Sequence, residues 1–552
     1  MPITTAEIFA GLHYADGSKW PTASITFSIP QAGTGTVWSA TSYPPGDEPS
    51  NAAYGVLDGG QRAAFQSAIE AWDRLINLRI DEVADNAFSQ GDIRVAFTNA
   101  GDYLGEDAAA YAYGPPTPGF GQAAFEGDIW IDDEYRGESA EPGTFLYETF
   151  LHEIGHALGL KHPFEDGARL PVEFDTTRFT VMSYTNFQDS TARFFELKGN
   201  TLFADGFFVQ PSTPMLLDII AIQGLYGAAA VETGANTYSI AEQVAFMATI
   251  VDSGGLDTFD FSAHTRGSAI NLAPGSFSSI AYFSIADQIA AWTAAFPQFA
   301  GFIAEFLNRP DTYTWSNNLA TAPDTVIENV LAGSGADTIF GNAADNSISG
   351  GAGSDSVTGG AGADTIAGGS AGLAGNYLRG DEGNDSLTGG DDFDDINGNM
   401  GSDTVSTGGG TDFCVGGKDN DLLFAGDGDD YCYGNLGDDT CYGDAGNDTV
   451  RGGQGNDTLS GGAGNDFVSG DRGDDTMVGG AGADLFHSSS DAGIDRVLDF
   501  SIAEGDRVLL DPGTQYTVMQ IGGDTVIQMS AGQVILVGVQ MSALPPGAIF
   551  GA

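Results

Sequence analysis

The chain has 552 residues, enough for two or more domains with proper cores. Its 19 Lys and Arg stand against 76 Asp and Glu, a formal charge of -57, and 80 residues are glycine; such a charge repels nucleic acid and anionic membranes and opposes compaction unless cations neutralise it, so bound metal ions are expected. No stretch approaches the length of an apolar membrane span, residues 1–20 lack the basic start and apolar run of a signal peptide, and three cysteines are too few to staple the fold.

Short runs with strand alternation occur at 25–30, 92–97 and 128–132, with a Gly/Pro-rich loop at 114–121. Residues 58–77 read as an amphipathic helix, with Phe65, Ile69, Trp72 and Ile76 on one face and Arg62, Gln66, Asp73 and Arg74 on the other. A second helix is expected over 145–158. A third lies within 214–227 and ends at Gly227, followed by a boundary near 231–238. Residues 285–307, with Trp292, Phe296, Phe299, Phe302 and Phe306, read as an inserted helical element expected to bury itself against the following repeats, with a partner-contact patch as the alternative.

Residues 152–162 carry the densest chemistry. His152 and His156 are four apart and project from one face of the 145–158 helix toward a single divalent ion, with Glu153 beside them to take a proton from metal-activated water. Gly159 can end the helix in the left-handed conformation, and the chain then folds back to deliver His162 as a third nitrogen ligand. The pattern H-E-x-x-H-x-x-G-x-x-H is matched at every fixed position, and Val181-Met182-Ser183-Tyr184 follows about twenty residues later. On these residues the chain resembles the metzincin metalloproteases, and serralysins among them; the stretches 214–227, 252–262 and 271–280 extend the likeness. The resemblance implies one catalytic zinc on His152, His156 and His162, with Glu153 as general base. Met182 would form the structural turn beneath the metal. Tyr184 would ligate zinc at rest and swing toward the developing oxyanion. It further implies that Ala110-Tyr111-Ala112-Tyr113 is an edge strand on which an extended peptide docks through Ala110 and Ala112, although an ordinary loop-flanking strand is an equal reading. Residues 1–20 are a candidate propeptide covering the cleft, with no cysteine to act as a zinc-ligating switch.

From 332 to 487 the sequence repeats every nine residues. Aspartate holds the sixth position in Asp337, Asp355, Asp364, Asp385, Asp394, Asp403, Asp412, Asp421, Asp430, Asp439, Asp448, Asp457, Asp466, Asp475 and Asp484, while Asn346 and Asn376 interrupt it, the second after a three-residue insertion near 370–375. Two residues later the side chain is always apolar or cysteine, from Ile339 to Phe486, so it points inward from a short strand. Two units make one coil, which stacks residues eighteen apart; Cys414 and Cys432 share a wall and Cys441 lies on the other. All three read as small core hydrophobes, with a Cys414–Cys432 disulfide as the alternative. The tract resembles the RTX calcium-binding β-roll, in which aspartates and turn carbonyls, Gly350, Gly359, Gly452 and Gly461 among them, hold several calcium ions. Without cation the aspartates repel and little apolar area is buried, so calcium binding is expected to be folding free energy. A capping β segment follows, and the ending at 547–552 departs from the acidic-plus-apolar terminus associated with serralysins.

The expected architecture is thus an α+β metzincin-like catalytic domain at 21–240, a β-rich connection with a helical insertion at 241–331, an all-β parallel roll at 332–487 and a cap with a candidate secretion signal at 488–552. The implied activity is zinc endopeptidase. The implied partners are protein or peptide substrates, a type I secretion apparatus and a proteinaceous inhibitor, for a bacterial protein exported without a signal peptide. The competing reading is a non-catalytic calcium-binding surface or matrix protein with an inactive protease-like domain.

Overall fold

The computed structural model describes residues 3–32, 38, 54–100, 108–119, 123, 125–165, 167–370, 375–489 and 493–551. Two units form: Met1–Gly234 with Gln243–Gly255 and Pro274–Thr325, and Ala235–Glu242 with Leu256–Ala273 and Val326–Ala552. The stretch 241–331, expected as one connection, therefore divides. Ala248–Ile250, Phe277–Ser278 and Leu319–Thr321 make a small sheet of the first unit, whereas Thr258–Asp260, Ala269–Asn271 and Asn329–Leu331 are rungs of the second.

In the first unit, α1 (Thr5–Leu12) buries Ile8 and Leu12 behind a Thr4–Glu7 capping box. The helix α2 (Gly59–Asp73) begins at Asp58, whose carboxylate accepts from Gln61 N while the Gln61 side chain accepts from Asp58 N, so two orphan donors are satisfied at once. It buries Phe65, Ala68, Ile69 and Trp72. Five strands follow the order β2-β1-β3-β5-β4, where β1 is Ser24–Ser28, β2 Arg79–Glu82, β3 Ile93–Thr98, β4 Ala110–Ala112 and β5 Asp128–Asp132. The first four in that order run parallel; β4 is antiparallel to β5 at the margin, with Ala110 opposite Ile131 and Ala112 opposite Ile129. Both central strands are buried throughout, because Ile129 and Ile131 join the large core on one face while Trp130 packs with Trp38 and Tyr111 on the other. Trp72 crosses to α3 (Phe145–Leu158), donating from Nε1 to Leu151 O at 3.1 Å.

The aromatic insertion corrects the sequence expectation. It forms α5 (Ile285–Ala295) and α6 (Ala300–Leu307), following α4 (Leu216–Tyr226), and Pro297 stands in the short turn between them. It packs within the first unit on the hairpin of β6 (Thr191–Lys198) and β7 (Thr201–Phe208): Phe195 and Leu202 meet Trp292, Phe296, Ile303, Phe306 and Leu307. The hairpin supplies an apolar face of its own, so the insertion has a nearer surface to cover.

In the second unit, short parallel strands stack in two long sheets with partners eighteen residues apart, as in Ile339↔Val357 and Leu423↔Cys441. The inward side chains from Ile339 to Phe486 are at most 2% exposed. Cys414 stands opposite Cys432 on one wall, Cys441 lies on the other, and all three are free and buried. The insertion near 370–375 lies largely outside the described residues, but the pairing across it lengthens from eighteen to twenty-one, Val357↔Leu378. The repeat glycines are obligatory in places: at Gly446, φ 146°, a Cβ would lie 1.4 Å from Gly428 O. Antiparallel strands Thr517–Ile521, Asp524–Gln528 and Gln533–Leu536 finish one sheet. This is the α+β domain followed by a parallel β-roll that the sequence indicated.

Candidate metal centre and cleft

The helix α3 begins at Thr144, which accepts from Tyr147 N, and ends at Gly159 with φ 107°. Leu160 N then donates to Gly155 O at 2.9 Å, a left-handed close that turns the chain back. His162 thereby reaches the two helical histidines. The three Nε2 atoms stand 3.1 Å (His152–His156), 3.0 Å (His156–His162) and 3.1 Å (His152–His162) apart.

The outer nitrogens fix the tautomers. His152 Nδ1 lies 2.7 Å from Val181 O and His156 Nδ1 lies 2.8 Å from Leu160 O; a carbonyl can only accept, so each Nδ1 carries the proton. His162 Nδ1 pairs with Glu165 Oε1 at 2.5 Å, and a carboxylate imposes the same tautomer. Burial, with the His156 ring second, pushes His152 down to about 3; burial pushes His156 down to about 4; burial and both neighbouring rings push His162 down to about 2. All three are neutral at pH 7. Their Nε2 lone pairs therefore converge with no proton among them, an arrangement that repels itself unless a cation lies between. A tetrahedral zinc with bonds of about 2.0–2.1 Å separates its nitrogens by about 3.3 Å, close to the spacing here. The donor set fits zinc.

Glu153 is buried, and its Oε2 has no hydrogen-bond partner; burial, then Glu148, holds its carboxyl well above the usual range. Tyr184 stacks on His152 at 5.4 Å between ring centroids and lies 4.5 Å from the His162 ring, on the solvent side. Met182 is buried under Gly155. The sequence reading did not single out what holds that turn. Asp218, in α4, accepts from Thr180 Oγ1 at 2.5 Å and from Val181 N and Met215 N at 2.8 Å. A lone carboxylate in the apolar run 214–222 was its visible signal, whereas Glu165 had none beyond standing three residues after His162.

A cleft of ≈ 460 Å³ opens beside these groups, lined by Ala108, Ala109, Ala110, Phe145, Glu148, Thr149, His152, Glu153, Thr177, Ser183, Tyr184, Asn186 and Gln210. Ala110 is on its wall and Ala112 is not. Among the described residues none of the lining comes from residues 1–20. That segment packs at the C-terminal end of α3, where Trp20 Nε1 donates to Ala157 O and Leu12 O accepts from Lys161 N.

The repeat aspartates form buried columns. One oxygen accepts the backbone N–H of the aspartate one coil earlier, as Asp403 Oδ1 does from Asp385 N at 2.8 Å. In every predicted ligand except Asp394, whose Oδ2 accepts from Gly390 N, the second oxygen is buried without a partner. Gly350, Gly359, Gly452 and Gly461 sit beneath these oxygens: a Cβ would come within 2.5, 2.3, 2.0 and 2.5 Å of Oδ2 of Asp355, Asp364, Asp457 and Asp466. Rows of orphaned hard oxygen donors fit calcium.

Residues 52–181 match the matrixin family, 218–294 the peptidase M10 serralysin C-terminal family, and a series of overlapping segments within 330–494 the RTX calcium-binding nonapeptide repeat. The chain is 29% identical to serralysin of Proteus mirabilis over 314 residues, 52% of this chain and 55% of that one. It is 31% identical to metalloprotease AprA of Pseudomonas entomophila over 312 residues (52% and 54%), and 32% identical to serralysin A of Dickeya chrysanthemi over 278 residues (47% and 52%). The chain spans about half the length of the curated relatives it matches. With a matrixin segment, a serralysin C-terminal segment and RTX repeats in that order, the chain is similar to the serralysin-type metzincins, a family that implies catalytic zinc and repeat-bound calcium.

Proposed function

We propose that the chain is a secreted zinc-dependent endopeptidase that hydrolyses peptide bonds in proteins. The observation that carries this reading is the convergence of three neutral Nε2 lone pairs beside a buried, unpartnered Glu153 oxygen. Zinc held by His152, His156 and His162 supplies Lewis acidity, which acidifies water and polarises a carbonyl. Glu153 takes the proton from the attacking water and returns it to the leaving amine. The burial that raises its proton affinity lets it keep that proton between the two steps. Tyr184, beside His152 and His162, donates its phenol hydrogen to the developing oxyanion. An extended substrate adds to the marginal strand β4 at Ala110 and Ala112.

Export follows the repeats. The chain leaves a calcium-poor cytoplasm unfolded, through a type I apparatus, and the aspartate columns fold where calcium is plentiful. The described residues include no helix long and apolar enough to cross a membrane. An inactive protease-like domain on a calcium scaffold is not favoured, since the clustering of His152, His156 and His162 beside Glu153 supports a working metal site. The test is casein digestion by the calcium-loaded chain with and without phenanthroline. Cleavage abolished by the chelator and restored by zinc supports the reading; cleavage indifferent to it contradicts the reading.

A further inference from the structure

The cleft holds more polar groups than hydrolysis uses. Glu148 and Thr149 stand one helical turn before His152 and Glu153, so all four share the face of α3 that borders the cleft. Glu148 is 7% exposed, and its carboxylate makes no hydrogen bond or ion pair among the described residues. Two further cleft-lining side chains hold unpartnered oxygens that lie just beneath the surface: Thr177 is 4% exposed with Oγ1 unpartnered, and Gln210 is 5% exposed with Oε1 unpartnered. Among the described residues no Lys or Arg lines the cleft, and Ala108, Ala109 and Ala110 keep one wall shallow.

Three buried groups with unmet hydrogen-bonding capacity describe their complement, one of them a carboxyl that burial and Asp218 push up to about 8 and that an entering cation would ionise. An ammonium brings three donors and a guanidinium five, each with the positive charge that Glu148 lacks nearby, whereas an apolar side chain would leave all three groups unsatisfied. We infer that the cleft is a specificity pocket for the substrate side chain next to the scissile bond, and that Glu148, with Thr177 and Gln210, selects lysine or arginine there. This rests on the endopeptidase reading. Glu148 is a specificity-determining residue, not a catalytic one: it touches the substrate side chain, while Glu153 handles the proton.

The preference expected from one charge-assisted contact is about ten- to a hundredfold in kcat/KM for lysine over its uncharged isostere norleucine. The test uses the full zinc- and calcium-loaded chain on a peptide library, with cleavage sites read by mass spectrometry, followed by a matched lysine and norleucine peptide pair. The expected result is enrichment of Lys and Arg at one position flanking the cut, with the lysine-to-norleucine ratio falling to near one in Glu148→Gln and inverting in Glu148→Leu. Cleavage without such enrichment, or a ratio unchanged in a folded Glu148→Gln protein, overturns the inference while leaving the endopeptidase reading intact. If the Glu148 variants do not fold, the wild-type library decides alone. Failure of the zinc-loaded wild type to cut any peptide overturns both.

Discussion

Gly155 lies directly against Met182: a Cβ on this glycine would come within 2.6 Å of the Met182 Sδ and 3.4 Å of Trp72. The helix turn between His152 and His156 is thus seated on the thioether, and Asp218 fixes the turn that carries it. Gly155→Ala is expected to displace that turn, costing about 1–3 kcal/mol of stability and weakening zinc binding. Thermal denaturation and a competitive zinc titration check this, and no change in either would contradict the coupling.

The three imidazoles are oriented unequally. His152 and His156 rely on backbone carbonyls that no side-chain change removes, while His162 relies on Glu165. Glu165→Ala should therefore weaken zinc affinity by about ten- to a hundredfold without unfolding the chain. Chelator competition followed by a zinc-sensitive dye measures it; an affinity equal to wild type would show that Glu165 orients nothing.

Acid and calcium should act on the roll in opposite senses. Burial raises the repeat aspartates, to about 7 at Asp355, Asp403 and Asp412 and about 8 at Asp421, against roughly 3.9 in an unfolded chain. The folded state then binds protons more tightly than the unfolded one. Without cation, this stabilisation is full below about pH 4 and is lost as pH rises through about 7 to 8. In chelator the β signal in circular dichroism and the urea midpoint of the full chain should rise as pH falls from about 8 to about 5. With millimolar calcium the trend should reverse, because protons displace the ion. A chelated chain that is most stable at the alkaline end would contradict this.

Local patterns carried most of the fold. The i, i+4 spacing of His152 and His156 placed them on one helical face, and Gly159 marked where the helix stops, because both follow from backbone geometry. The inward position two residues after each repeat aspartate was equally plain, since a strict period fixes which way a side chain points. Partners across the fold were not legible. The aromatic face of 285–307 announced that it would be buried, but the surface it covers is made by Phe195 and Leu202, a hundred residues away and with no periodic signal of their own. Glu148, Glu165 and Asp218 stayed hidden for the same reason: a carboxylate's role is set by what the tertiary fold brings near it.

The most direct measurement is the zinc content and casein activity of Glu153→Ala beside wild type. The account predicts one zinc per chain in both by atomic absorption, with casein cleavage lowered at least about a hundredfold in the variant. A zinc-loaded Glu153→Ala protein that digests casein at an appreciable fraction of the wild-type rate would contradict it.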